Sequence, residues 1–397
     1  MLILDENENP VPLVDLRGKF VAQMGEFAGR YVKNEYYNVG DAPEKSVDVE
    51  IAIKLKEENK AFKVEKYAHN YPHCWRTDKP VLYYPLDSWF IRASAMKDRM
   101  SALNKTINWK PEATGTGRFG NWLDNLQDWN LSRSRYWGIP LPIWVTEDKS
   151  EKICIGSVAE LKSEIEKANK VLGLEQVIPN DLHRPYIDSI ILVSSNNQPM
   201  KRELDLIDVW FDSGAMPFAQ WHFPFENVEK FAQNYPADFI AEGVDQTRGW
   251  FYTLHAISSI VKEEVQAELS RQGVKVSDER YPGVAFKNVV SNGLVLDKNG
   301  QKMSKRLGNA VDPFDTLPKY GADATRWYMI SNSQPWDNLK FDEDGILETR
   351  NKLFGTLFNT YNFFAIYANV DGFEMDEMNV SPVENRTELD RWILSKL

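Results

Sequence analysis

From about residue 206 the sequence alternates in a way that few folds satisfy. Ala237-Asp238-Phe239-Ile240-Ala241 reads as a buried strand ending at Glu242-Gly243, and a helix follows from about Gln246 to Val261. A second strand, Phe286 to Val290, leads into Asn292-Gly293 and a short hairpin around Asn299-Gly300. Asp312-Pro313 then offers an N-cap with proline at the first helical position, and a helix carrying Ala322 to Ile330 comes next. Strand, helix, strand, loop, helix is the signature of a parallel α/β sheet. Open sheets of that kind bind ligands beyond the carboxyl ends of their strands.

The flanking sequence is organised differently. Residues 1–75 mix short strands with a helix-like stretch, Val47 to Asn59, whose apolar positions Val47, Ile51 and Leu55 recur every four residues. Residues 76–145 are rich in Pro, Gly and Trp and read as an irregular connecting region. Residues 146–205 hold a charged helix, Val158 to Val171, and then the proline-punctuated Asp181-Leu182-His183-Arg184-Pro185. Residues 206–330 carry the α/β pattern, and residues 331–397 turn helical. There Phe354, Leu357, Phe358, Tyr361 and Phe364 keep helical spacing, which predicts an amphipathic packing face. After a polar linker from about 371 to 386, Thr387-Glu388-Leu389-Asp390 looks like a capping box. The helix it opens has barely begun at Leu397, so a longer parent polypeptide is expected.

Composition excludes several classes. Lys plus Arg number 47 against 58 Asp plus Glu, a net charge of −11, which argues against a protein that coats nucleic acid or a membrane surface. Only Cys74 and Cys154 are present, so neither a disulfide framework nor a four-cysteine zinc site is possible. Met1-Leu2-Ile3-Leu4-Asp5-Glu6 has no basic region and is no signal peptide. No stretch approaches the ~18 continuous apolar residues of a membrane span. A soluble, cytoplasmic protein is expected. Trp75, Trp89, Trp122, Trp129, Trp137 and Trp144 read mostly as core anchors, leaving a few other rings to shape a pocket.

Three patterns are decoys. Gly115-Thr116-Gly117-Arg118-Phe119-Gly120 matches G-x-G-x-x-G, but Trp109-Lys110-Pro111-Glu112 does not read as the strand a dinucleotide site needs, and no acidic residue stands at Gly138-Ile139-Pro140. It reads as a flexible or positioning loop. His69, His73 and Cys74 lie close together, yet Thr77 stands where a second cysteine would be, so no metal is expected. Asp342-Glu343-Asp344-Gly345 resembles part of a calcium loop but has Lys340 and Asn351 at its outer ligand positions.

The chemistry-bearing patterns are two. Lys302-Met303-Ser304-Lys305 lies in a loop between a hairpin and a capped helix, where paired lysines can neutralise charge that develops on phosphates. Upstream, Glu242-Gly243-Val244-Asp245-Gln246-Thr247-Arg248-Gly249-Trp250-Phe251 leaves the end of a strand and enters a helix. Glu242 and Asp245 suit an ammonium and ribose hydroxyls, Gln246 suits a carbonyl or carboxylate, and Trp250 supplies an apolar wall.

Lys302–Lys305 followed by Arg306-Leu307-Gly308-Asn309 resembles the second signature of class I aminoacyl-tRNA synthetases. EGVDQTRGWF (242–251) with DVWFDSG (208–214) is similar to the isoleucyl-tRNA synthetase family, as are YPHCWR (71–76), SWFIR (88–92), LSRSRYWGIPLPIW (131–144) and GADATRW (321–327). The resemblance covers almost the entire chain. It implies that residues 206–330 are the second half of a split Rossmann-like nucleotide-binding domain. Residues 1–75 would then be the tail of an editing insertion, residues 76–145 its return path, and residues 146–205 a small insertion. Residues 331–397 would be a helical junction reaching the start of an anticodon-binding domain.

The resemblance also implies roles. Lys302 and Lys305, with Met303 and Ser304, belong to the loop that stabilises the pyrophosphate-leaving transition state, Lys305 being the main ATP contact. Glu242, Gly243, Asp245 and Gln246 line the aminoacyl-adenylate site, and Trp210 and Trp250 flank the isoleucine side chain. Arg306 replaces the commoner serine, as in the eukaryote-like branch. The partners implied are isoleucine, ATP with Mg2+, tRNA(Ile) and the missing N-terminal half of the same polypeptide. The first signature, H-x-G-H, does not occur, since no two of the five histidines, His69, His73, His183, His222 and His255, are three apart. The fragment alone is therefore expected to be inactive. Three rivals stay open: a stand-alone tRNA-binding or editing module, a synthetase for valine or leucine, and a nucleotide-binding oxidoreductase.

Overall fold

The computed structural model describes residues 4–5, 10–74, 76–304, 307–375 and 380–397. They form two units, Met1–Ser88 and Trp89–Leu397. In the first, helix Val47–Glu57 carries Asp48 and Glu50 in its first turn and Lys54 and Lys56 in its last, matching the helix dipole at both ends. Arg30 Nη2 donates to Glu50 at 2.9 Å, and buried Val47 anchors the helix. Most of the remainder is turns joined by isolated bridges such as Val14 to Phe20 and Lys19 to Tyr31.

The second unit is built on a three-stranded parallel sheet with Asn288–Asn292 in the centre, Ile240–Gly243 on one side and Asn108–Lys110 on the other. Trp109, Phe119, Phe251, Phe286 and Val289 form the core around this sheet, and helix Trp250–Ile260 is buried along nearly its whole length. His255, fully enclosed on that helix, is held neutral by burial, with its pKa lowered to about 4, and its Nε2 donates to the Met100 carbonyl at 2.9 Å.

A separate antiparallel sheet runs in the order Lys152–Cys154, Ile143–Thr146, Pro199–Arg202, Ile191–Val193. Helix Val158–Leu172 packs on it through Leu161 and Ile165, against Trp144, Leu192 and Met200. Ser157 caps that helix by accepting from the Glu160 N–H at 3.1 Å, and Gly173 ends it in the left-handed region that glycine enters freely. Further along, strands Val295–Leu296 and Leu339–Lys340 pair in parallel. Helices Pro313–Tyr320, Ala322–Ser331 and Glu343–Thr349 close a third core around Tyr328, Phe341 and Ile346. Asp342 caps the last of these by accepting from the Asp344 N–H, which is the local role of the acidic run. Among the described residues no helix is long and apolar enough to cross a membrane.

The α/β expectation matches these elements, and four local expectations are corrected. The stretch 76–145, read as irregular, contributes strand Asn108–Lys110 to the central sheet, where Trp109 is buried. The G-x-G-x-x-G segment consequently follows a strand, and it is a helical turn, Thr114–Phe119, rather than a loop. Two of its glycines serve packing, because a Cβ on Gly115 would lie 2.3 Å from the Trp109 ring and one on Gly120 3.0 Å from the Gly115 carbonyl oxygen, whereas Gly117 faces open space. The strand read as buried from Ala237 is shifted to Ile240–Gly243, with Phe239 and Glu242 exposed, because only one of its neighbours is a strand. Leu357, Phe358, Tyr361 and Phe364 do lie on one helix, Gly355–Asp371, but all four are exposed and pack against no core.

Candidate active site

The parallel register sets Glu242 beside Ser291 and Gly243 beside Asn292. Two chain segments therefore leave the same edge of the sheet, one into the Val244–Arg248 turn and one toward the lysine loop. The turn is locked internally. Thr247 is buried and its hydroxyl donates to the Val244 carbonyl at 2.8 Å. Gln246 Oε1 accepts from the Trp250 N–H at 3.0 Å, while its Nε2 donates to Asp245 Oδ2 at 3.1 Å. Glu242 and Asp245 stay exposed, available to a polar ligand.

Gly249 is the meeting point. A Cβ there would lie 2.8 Å from Gln246 Oε1 and 3.2 Å from Trp210 Cη2. Trp250 follows directly, its Nε1 donating to the Ser213 carbonyl at 3.1 Å. Gln246, Trp210 and Trp250 are thus brought together around one residue with no side chain. Trp210 arrives on the short helix Val209–Gly214, which packs so closely on Trp250–Ile260 that a Cβ on Gly214 would sit 2.8 Å from Thr253 Cβ.

Sequence reasoning gave Asp208 no role. It is buried at the N-cap of the Trp210 helix, where it accepts from Trp129 Nε1 at 3.0 Å and pairs with Arg133 at 2.8 Å. An Asp immediately before a short apolar helix is a readable cap signal, so this one was within reach. A cleft of about 560 Å³ lies along Phe211 and Asp212, and Trp210 is not among its lining residues.

The lysine loop is pinned by Asn309. Its Oδ1 accepts from the Ser304 N–H at 2.8 Å, and its Nδ2 donates to Asp297 Oδ2 at 2.9 Å and to the Lys302 carbonyl at 3.3 Å. Asn309, together with the Gln301, Asn299 and Gly300 amides, holds the Asp297 carboxyl below its ordinary value. Met303 packs on the core around Tyr328, so Lys302 faces solvent from a fixed base. Lys305 and Arg306 lie outside the described residues, as does Trp75. Among the described residues no group of three or more His, Cys, Asp or Glu could hold a metal ion.

Residues 28–342 match the family model of tRNA synthetases class I (I, L, M and V). An isoleucine–tRNA ligase of Cytophaga hutchinsonii is 64% identical over 404 residues, covering 99% of this chain and 34% of its own. One from Bacteroides fragilis is 60% identical over 97% of this chain and 35% of its own, and one from Clostridium novyi is 44% identical over 98% and 33%. The chain spans about a third of the length of the curated relatives it matches.

Proposed function

Because the chain belongs to the class I tRNA synthetases of the I, L, M and V group, we propose that it carries the amino-acid and lysine-loop side of an isoleucine-activating site. One observation carries the reading: Trp210, Gln246 and Trp250 converge on Gly249 at the sheet edge from which the chain also runs to Lys302. Two tryptophans give a branched aliphatic side chain an apolar wall, and the exposed Glu242 and Asp245 offer carboxylates to the α-ammonium and the ribose. The relatives' shared specificity favours isoleucine over valine or leucine.

In the activation step the isoleucine carboxylate attacks the α-phosphorus of ATP. A carboxylic–phosphoric anhydride forms as the bond to pyrophosphate breaks. Such displacement needs little covalent help from protein, so positioning and charge dominate. Lys302, with Lys305, would neutralise charge gathering on the departing pyrophosphate. Mg2+ enters with ATP as part of the substrate. A tRNA 3′-terminal hydroxyl then takes the isoleucyl group and releases AMP. Isoleucine exceeds valine by a single methylene, and that pair is itself the usual illustration of how little a hydrophobic pocket can discriminate. A proofreading step elsewhere in the polypeptide is the physical complement.

The test is amino-acid-dependent ATP–pyrophosphate exchange by the full polypeptide carrying this chain, run with isoleucine, valine and leucine. Isoleucine should give by far the highest kcat/KM. Preference for valine or leucine would reassign the pocket, and exchange with none of the three would sink the reading. The 397-residue chain alone should not exchange.

A further inference from the structure

We infer that Arg118, in the glycine-rich helical turn, is a positioning residue for the amino-acid-binding turn Val244–Arg248, an inference that rests on the isoleucine-activating reading above. Arg118 Nε donates to Thr247 Oγ1 at 2.8 Å across a separation of 129 residues. The proton count leaves one arrangement. The Thr247 hydroxyl spends its single proton on the Val244 carbonyl, so its remaining lone pairs are what Arg118 meets. Thr247 is fully buried while Arg118 is exposed, so the bond is part-buried and reaches the hydroxyl from the solvent side.

The contact is reciprocated. The Arg248 guanidinium lies 5.4 Å from the centroid of the Trp122 ring, four residues beyond Arg118 on the same helical run. Each segment thus sends an arginine to the other, and Gln246 stands beside Thr247, the residue Arg118 holds. Both ends of the clasp have rigid bases. Phe119 is fully buried, with its ring 5.0 Å from that of Trp109, and a Cβ on Gly120 would lie 3.0 Å from the Gly115 carbonyl oxygen. The turn's wide winding is a form that recurs at functional positions. Among the described residues Arg118 pairs with no carboxylate, so Thr247 is its fixed protein partner.

If Arg118 sets the pose of Thr247, it sets by one bond the pose of Gln246, whose amide in turn holds the Trp250 N–H. Loss of a single part-buried hydrogen bond corresponds to about threefold to tenfold in an equilibrium. Arg118→Ala and Thr247→Val in the full polypeptide should each raise KM for isoleucine on that scale in the exchange assay, with KM for ATP little changed. The double variant should be no worse than the worse single, since both remove one contact. Thr247→Ser keeps the hydroxyl and should recover most of the affinity. Arg118→Lys keeps charge and stem but not the Nε donor; it should fold normally and still bind isoleucine weakly, which preserves the test if Arg118→Ala melts early. Unchanged KM for isoleucine in folded Arg118→Ala or Arg118→Lys would overturn the inference, as would equal rises for isoleucine and ATP. If the unaltered polypeptide shows no isoleucine-dependent exchange, the parent reading falls and takes this one with it; if it does and the Arg118 variants match it, only the Arg118 inference falls.

Discussion

Asp212 sits one helical turn beyond Asp208, and burial, with that neighbouring carboxylate adding to it, pushes the Asp212 carboxyl up to about 6. Asp208 is itself committed to Trp129 and Arg133, so of the two carboxylates on the helix carrying Trp210, one alone is neutralised by a partner among the described residues. For an acid with a raised folded value, the unfolded chain gives up its proton first. Stability should therefore fall as pH rises from about 4 to about 6, with the penalty complete above that. Asp212→Asn removes the penalty. It should raise stability by about 1–2 kcal/mol near neutral pH, after allowance for solvent screening, and make no difference below about pH 4. Denaturant melts at several pH values would show it, and a gain that persists in acid would refute it.

Asn309→Ala should free the lysine loop without unfolding the core beneath it. Hydrogen exchange at the Ser304 amide reads the loop directly, because Asn309 Oδ1 is its acceptor. Exchange should accelerate roughly tenfold or more, the scale of one hydrogen bond. In the unaltered chain that protection should survive mild acid. The Asp297 carboxyl titrates below its ordinary value, so its contribution is present above about 4 and fades only as pH falls through the lower folded value.

Lys302→Ala should slow isoleucine-dependent exchange by the equivalent of about 2–4 kcal/mol while leaving KM for isoleucine near its starting value. The lysine is exposed and its charge is wanted most as pyrophosphate leaves. Lys305→Ala should do the same or more. Weakened isoleucine binding with turnover preserved would contradict both assignments.

Trp210 and Trp250 should separate in a paired experiment. Trp210 is 40% exposed and rests its ring edge near Gly249, so Trp210→Ala should cost little stability and raise KM for isoleucine. Trp250 is half-buried, packed on the main core and bonded to Ser213, so Trp250→Ala should lose about 2–4 kcal/mol of stability as well as affinity. Gly249→Ala would drive a methyl into Gln246 and Trp210 together and should mimic the affinity defect of both. A Trp210 variant that melts early with KM unchanged would return that ring to a packing role.

What could be read in advance was local. Asp312 before Pro313 and Thr387 before Glu388 both cap helices through side-chain oxygens, because a cap is decided within four residues. Strand Asn108–Lys110 went unread because three residues show no periodicity and its partner lies far along the chain. That omission hid the helical nature of the glycine segment and, with it, the Arg118 contact. Gln246, Trp210 and Trp250 were legible as residue types, but their convergence needed Gly249 as a gap between two helices. The exposed face of Gly355–Asp371 was legible as apolar, while whether it is covered is not written in its own spacing.

Asn108 and Asn288 touch across the central sheet at 2.9 Å although 180 positions separate them. Within that span, the four-stranded antiparallel sheet takes the chain in on Ile143–Thr146 and sends it out on Pro199–Arg202, and these two strands pair side by side, Trp144 opposite Arg202. Once this module has folded, its contour no longer counts toward closing the larger ring, and each halving of loose chain saves about 0.6 kcal/mol of closure entropy. It acts as a short circuit in the topology, so that early folding of this module would aid the slow parallel pairing that follows. The same adjacency predicts that the module could be excised and its two ends tied by a tight turn without tugging on the sheet.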